Sequence, residues 1–199
     1  LAEKLRVPPG QHVTRGFPVL HEGDVPRIEP ANWRFAVFGL VEEPLTLDYE
    51  AFRALPHCRI EADVHCVTGW SKLDNAWEGV ASRDLWERVK PGAGARFVMI
   101  HAAGGFTANL SLDDFLQPDV LFAWSHNGVP LSPEHGWPLR LVVPRLYFWK
   151  SAKWVEGVEV MAEDRPGFWE RGGYHMRGDP WQPQNRYSHY PPGKDPWRV

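Results

Sequence analysis

Three segments of this 199-residue chain hold side chains that could do chemistry. The first, Val64-His65-Cys66-Val67-Thr68-Gly69-Trp70-Ser71, sets a cysteine where an alternating run gives way to small and polar residues. A thiolate at such an edge serves as a nucleophile or as a soft-metal ligand. The second runs from His135 through Arg140 and Arg145 to Lys150-Ser151-Ala152-Lys153. Its closely spaced cations, beside small Ser151 and Ala152, could hold a phosphate by charge and by close backbone N–H approach. The third, Pro166 to Asp179, offers Tyr174, His175 and Arg177, proton donors and a fixed positive charge suited to an oxyanion. On residue type alone each segment has a commoner role. A free cysteine is usually a small buried hydrophobe, a basic run a solvated face, and a Tyr-His-Arg loop a set of structural contacts.

The elements that must position these segments follow from periodicity. Cys58, Ile60, Ala62, Val64 and Cys66 alternate with Arg59, Glu61, Asp63 and His65, which predicts a half-buried strand ending at Cys66. Further strands are expected at Trp33 to Leu40, Arg96 to His101, Val120 to Ser125, Leu139 to Val143 and Trp154 to Met161. The Asn127–Gly128 pair after the third of these is a hairpin-turn signal. Short helices are expected at Thr46 to Leu55, Ser82 to Val89 and Leu112 to Leu116. Prolines at 8, 9, 18, 26 and 30 make residues 1–30 an extended arm, and the Pro-, Gly- and Trp-rich residues 165–199 a loop-rich tail. Short strands mixed with short helices and long connections indicate one α+β domain over residues 1–199.

Composition narrows the classes. With 43% hydrophobic and 24% charged residues the chain is globular, and its 19 prolines and 18 glycines require many turns. A net charge of −3 gives no global attraction for nucleic acid. The longest apolar runs fall far short of the roughly 20 residues of a membrane helix, so no membrane insertion is expected. Two cysteines eight apart match neither a disulfide framework nor a common zinc spacing, and no HExxH, P-loop, GxGxxG or GxSxG pattern is present. A reducing, cytoplasmic location is expected, since no signal-peptide pattern opens the chain. The absent initiator methionine points to trimming, which leaves room for a lost upstream segment.

Read jointly, Cys66-Val-Thr-Gly-Trp70-Ser71 with Trp77-Glu-Gly79-Val80, His135-Gly-Trp-Pro138-Leu-Arg140-Leu-Val-Val-Pro144 and Lys150-Ser-Ala-Lys153-Trp154 resemble the molybdopterin domain of the sulfite oxidase superfamily. Order and spacing both match, over roughly residues 10 to 180. The likeness is closest to small bacterial sulfite-oxidase-like proteins and more distant to the catalytic subunit of protein-methionine-sulfoxide reductase. The resemblance implies a sulfite-oxidase-type fold and one molybdopterin per chain, with Cys66 as the thiolate ligand of molybdenum. It assigns the pterin and its phosphate to His135, Arg140, Ser151, Ala152 and Lys153, with Lys150 nearby and Ala102 contributing through its backbone. Tyr174 takes the place of the family's active-site tyrosine, and Arg15, in the arm segment Thr14 to His21, that of an active-site arginine. Arg177 is a further candidate for the pocket wall.

The activity so implied is oxygen-atom transfer on a small S-oxo or related substrate, with electrons exchanged with a separate redox protein. The chain is too short for the dimerisation domain of true sulfite oxidases and has no haem motif, which leaves sulfite itself open as substrate. Trp70 stands where sulfite oxidases carry glycine and methionine-sulfoxide reductases tryptophan. The alternatives are a non-catalytic molybdopterin carrier and an interaction domain whose tryptophans form a recognition surface.

Overall fold

The computed structural model describes residues 3–182 together with Arg186 and Tyr187. Its strands in chain order are β1 (His12–Val13), β2 (Arg34–Gly39), β3 (Leu45–Asp48), β4 (Cys58–His65), β5 (Trp70–Ala81) and β6 (Phe97–Ala102). They continue with β7 (Thr107–Ser111), β8 (Leu121–His126), β9 (Val129–Pro130), β10 (Arg140–Val142) and β11 (Val155–Met161). Four helices of one turn or little more intervene: α1 (Tyr49–Arg53), α2 (Ser82–Trp86), α3 (Leu112–Phe115) and α4 (Phe168–Arg171). The arrangement is α+β, as the sequence leads one to expect.

Two sheets form. One joins β1, β5, β8 and β10 in that order, with β4 also on β5 and β9 on β8; the other runs β3-β2-β11-β6-β7. Their inner faces meet in a core that includes Phe35, Val80, Ile100, Phe122, Leu141 and Val158. A second apolar cluster, with Val64, Trp70, Trp77, Val142 and Phe148, surrounds Cys66. The chemistry-bearing cysteine is thus set in packed side chains rather than on a surface loop.

Several expectations are corrected in detail. The expected helix over Thr46 to Leu55 is split. Leu45–Asp48 pairs antiparallel with β2, and only Tyr49–Arg53 is helical, capped by Asp48 accepting from the Ala51 N–H at 2.8 Å. β5 and β7 do not figure among the expected strands, yet β5 is the longest strand in the described residues. Along it Leu73, Asn75, Trp77 and Gly79 are buried and alternate with half-buried or exposed partners. Buried Asn75 hides that period: its side-chain amide donates to the Lys72 and Ala62 carbonyls and its Oδ1 accepts from His126. The hairpin at Asn127–Gly128 forms with both residues at positive φ, 51° and 81°.

The N-terminal arm is pinned at several points rather than simply draped. Residues 12–13 pair parallel with Trp70 and Ser71, and the Phe17 ring stacks on His135 with centroids 4.1 Å apart. Of the tail over 165–199, residues 183–185 and 188–199 lie outside the described residues, and the described part includes α4 rather than loop alone.

Candidate active site

Cys66 sits where β4 turns into β5. The Cys66 N–H donates to the Trp70 carbonyl at 2.8 Å and the Gly69 N–H to the Cys66 carbonyl at 3.0 Å, which closes a three-residue loop. Gly69 takes φ 102°, a conformation other residues adopt only with strain, so the glycine is what lets the loop close. Behind the loop a chain of donors fixes it from below. The neutral His65 imidazole donates to Ser71 Oγ, Ser71 donates to Gln11 Oε1, and Gln11 Nε2 donates to the Cys66 carbonyl at 3.0 Å. The Thr68 hydroxyl donates to Cys66 Sγ at 3.1 Å. Burial pushes the Cys66 thiol up, while the Thr68 hydrogen bonds and the charge of Arg140 draw it down. Burial outweighs them, so the balance favours the neutral thiol.

The basic cluster is assembled by a second backbone pairing. Leu141 N–H donates to the Ala152 carbonyl and Val155 N–H to the Leu139 carbonyl, each at 2.9 Å, while Ser151 Oγ accepts from the Val143 N–H at 3.0 Å. This sets residues 139–143 beside 151–155 and places Arg140 next to Lys153. Gly136, at φ 113°, packs into the angle between them. A Cβ there would lie 3.1 Å from Lys153 Cβ and 3.2 Å from Arg140 Cβ.

Arg140 is 3% exposed, and among the described residues no carboxylate pairs with it. Its guanidinium lies 4.0 Å over the Phe148 ring and donates one hydrogen bond, to the His135 carbonyl at 3.0 Å; its buried Nε finds no acceptor. Burial pulls it down to about 9, so it stays charged at neutral pH. Lys153 is pulled down to about 7 by burial and then by Arg140, and donates to the Glu134 carbonyl. Among the described residues neither Arg140 nor Lys153 forms an ion pair with a carboxylate, which amounts to a built deficit of negative charge.

Cys66, Thr68, Arg140, Ser151, Ala152, Lys153 and Tyr174 all line one cavity of about 730 Å³. Arm residues Pro18 to Pro26 cover part of it, and Trp70, Trp149, Trp154 and Trp169 supply flat apolar walls. Tyr174 follows α4, with its N–H donating to the Trp169 carbonyl at 3.2 Å, and its ring lies 5.1 to 5.2 Å from those of Trp149, Trp169 and Tyr187. Burial first, and then Tyr187, which also hydrogen-bonds it, push its phenol up to about 12, so the hydroxyl stays protonated across neutral pH.

The other sequence-predicted residues fall elsewhere. His135 is behind the wall: its Nε2 donates to the Phe17 carbonyl at 3.2 Å, and Ser132 Oγ is 3.0 Å from Nδ1, so it ties the arm to the basic cluster. Ala102 is buried at the end of β6 with its N–H given to the Phe106 carbonyl, while the next residues, Ala103 and Gly104, reach the cavity. Arg15 is exposed and does not line the cavity. Arg177 pairs with Asp114 through two 3.0 Å bonds at a separate surface depression. Lys150 is fully buried, 2.6 Å from Glu170 Oε1, and points away from the cavity. Sequence reasoning missed Thr68, Gln11 and Glu170; only Thr68 lies inside a recognised motif.

Among the described residues no group of three or more His, Cys, Asp or Glu side chains could hold a metal ion. A metal that arrives with sulfur ligands of its own needs one soft donor from the protein, and Cys66 is such a donor. The uncompensated Arg140–Lys153 pair suits a phosphate, and the tryptophan walls suit a planar ring system. The residues present fit molybdopterin.

Comparison with known proteins agrees with that fit. The family model described as oxidoreductase molybdopterin binding domain matches residues 22–169. The uncharacterized oxidoreductase YuiH of Bacillus subtilis is 56% identical over 180 residues, covering 90% of this chain and 91% of that protein. Sulfite oxidase of Arabidopsis thaliana is 29% identical over 78% of this chain, which spans 49% of the plant protein. The catalytic subunit MsrP of protein-methionine-sulfoxide reductase from Campylobacter jejuni is 30% identical over 70% of this chain and 52% of its own length. The chain thus spans nearly all of YuiH but about half of the latter two. Among solved structures, the sulfane dehydrogenase SoxCD of Paracoccus pantotrophus shares the fold, with a TM-score of 0.68 over 77% of this chain and 43% of that one at 20% identity. No helix among the described residues is long and apolar enough to cross a membrane. The chain belongs to the oxidoreductase molybdopterin-binding domain family within the sulfite oxidase superfamily and is a molybdenum- and molybdopterin-dependent oxidoreductase.

Proposed function

We propose that the cavity binds molybdopterin with the Cys66 thiolate on molybdenum, and that the enzyme transfers an oxygen atom to or from a small S-oxo or related substrate. The observation that carries this reading is Arg140, a buried cation with no carboxylate partner among the described residues, opening with Lys153 into the cavity that holds the Cys66 thiol. Bound molybdopterin supplies the two-electron redox chemistry. The protein's own residues do the rest. Arg140 and Lys153, with Ser151 and the backbone at Ala152, neutralise and orient the phosphate. Thr68 and the buried donor chain through Gln11 hold Cys66 in one geometry. Tyr174, protonated at neutral pH and hydrogen-bonded to Tyr187, sets its hydroxyl beside the substrate oxygen and so orients it.

Electrons come from or pass to a separate redox protein, a reading supported by relatives that are named as catalytic or other subunits. A cytoplasmic location is part of this proposal and is tested by cell fractionation. The function itself is tested by loading Cys66→Ser with cofactor and assaying dye-coupled sulfite oxidation and sulfoxide reduction. Turnover is expected to vanish with far- and near-ultraviolet circular dichroism unchanged. Full turnover in that variant contradicts the reading.

A further inference from the structure

Lys150 belongs by sequence to the basic cluster, yet its ammonium does something else. It is fully buried and has four acceptors: Glu170 Oε1 at 2.6 Å, the Met176 carbonyl at 2.6 Å, Asn109 Oδ1 at 2.7 Å and the Asn109 carbonyl at 2.9 Å. Two of these bracket Tyr174, one four residues before it and one two residues after. Glu170 also accepts from the Trp149 indole N–H at 2.7 Å, and Trp149 packs edge-on against the Tyr174 ring. Asn109, on β7, donates in turn to Asp164 and to the Met176 carbonyl. One ammonium therefore ties the sheet, the segment ahead of Ser151 and both ends of the Tyr174 loop to a single point.

The geometry points to Lys150 as the positioning residue of Tyr174, clamping residues 170–176 so that the phenol projects into the cavity, and not as a ligand of the cofactor phosphate. This rests on the reading of Tyr174 as the hydroxyl that orients substrate oxygen. A buried pair is costly to break from one side but tolerates joint neutralisation, so Lys150 and Glu170 are best changed together. In Lys150→Met/Glu170→Gln both charges go while an acceptor remains for the Trp149 indole.

The test compares wild type, the pair variant, Tyr174→Phe and the combined triple variant as molybdenum-loaded proteins. Three quantities are read: molybdenum per chain, hydrogen exchange of residues 170–176, and dye-coupled kcat with sulfite and with methyl phenyl sulfoxide. The clamp predicts unchanged molybdenum content and exchange in 170–176 faster by about tenfold or more, with β2 and β11 unaffected. It also predicts a kcat loss on the order of 10²-fold that is not multiplied by adding Tyr174→Phe. A variant that loses molybdenum while its loaded fraction keeps wild-type kcat overturns the clamp and returns Lys150 to the phosphate. Unchanged exchange, or losses that multiply with Tyr174→Phe, overturns it as well. If Tyr174→Phe alone keeps full kcat, the reading of Tyr174 fails, while the exchange data still decide whether Lys150 clamps the loop.

Discussion

Arg140 and Lys150 are two buried cations ten residues apart, and they are built in opposite ways. Lys150 is enclosed by four acceptors, one of them a carboxylate, so nothing further is needed to satisfy it. Arg140 gives one hydrogen bond to a carbonyl, rests on Phe148, and leaves its charge open to the cavity. A charge that the protein satisfies internally holds the fold. A charge that it leaves uncompensated anticipates a ligand, and the protein without that ligand is less stable for it. The same contrast explains why proximity in sequence to a phosphate motif is a poor guide to which cation touches phosphate.

The contrast can be broken most severely at the satisfied charge. Lys150→Met alone strands Glu170 in the interior, and a loss of about 3–5 kcal/mol in urea unfolding is expected. Little change in the unfolding midpoint removes the distinction. At Arg140 the sign differs. Arg140→Met should leave cofactor-free protein as stable as wild type or more so, because a buried charge is replaced by an apolar chain of similar length. Its molybdenum content, measured by elemental analysis after expression in a cofactor-competent host, should fall by about tenfold or more. Full loading sinks the assignment of Arg140 to the phosphate.

Lys153 gives the contrast a pH dependence. Its folded value, about 7, lies below the unfolded value near 10.5, so the unfolded state holds the proton over that window. Its contribution to the stability of cofactor-free protein is full above the unfolded value and is lost as pH falls toward 7. Stability should therefore rise between pH 7 and 10 from this group, and Lys153→Met should flatten that slope in urea titrations. A slope identical to wild type contradicts the assigned shift. The smallest effect on activity is expected at Arg177, whose exposed guanidinium pairs with the buried Asp114 carboxylate outside the cavity. Arg177→Gln should cost about 1–3 kcal/mol and leave kcat unchanged.

How much of this was legible in the sequence depends on what each residue does with its polar atoms. The strand ending at Cys66 could be read because its apolar face alternates with Arg59, Glu61 and Asp63, which reach water, and of the alternate residues only His65 at its end is buried. β5 could not, because Ser71 and Asn75 are polar yet fully buried, their hydrogen bonds met by residues from the arm and from β4 and β8. The cysteine, the basic cluster and the tyrosine could be found through motif order, and the structure brings all three to one cavity. The roles of Lys150 and Arg177 could not. Both are decided by partners far along the chain, Glu170 and Asp114, which carry no motif of their own. The helix expected over Thr46 to Leu55 shows the same limit: Leu47 fits either period, and pairing with β2 decides for the strand.

The central claim is that the Cys66 thiolate joins the metal in this cavity, and molybdenum K-edge X-ray absorption on loaded wild-type and Cys66→Ser proteins tests it most directly. The account predicts that the sulfur scatterers around molybdenum fall by one in Cys66→Ser, with an oxygen or nitrogen scatterer in their place. Identical sulfur shells in the two proteins contradict it.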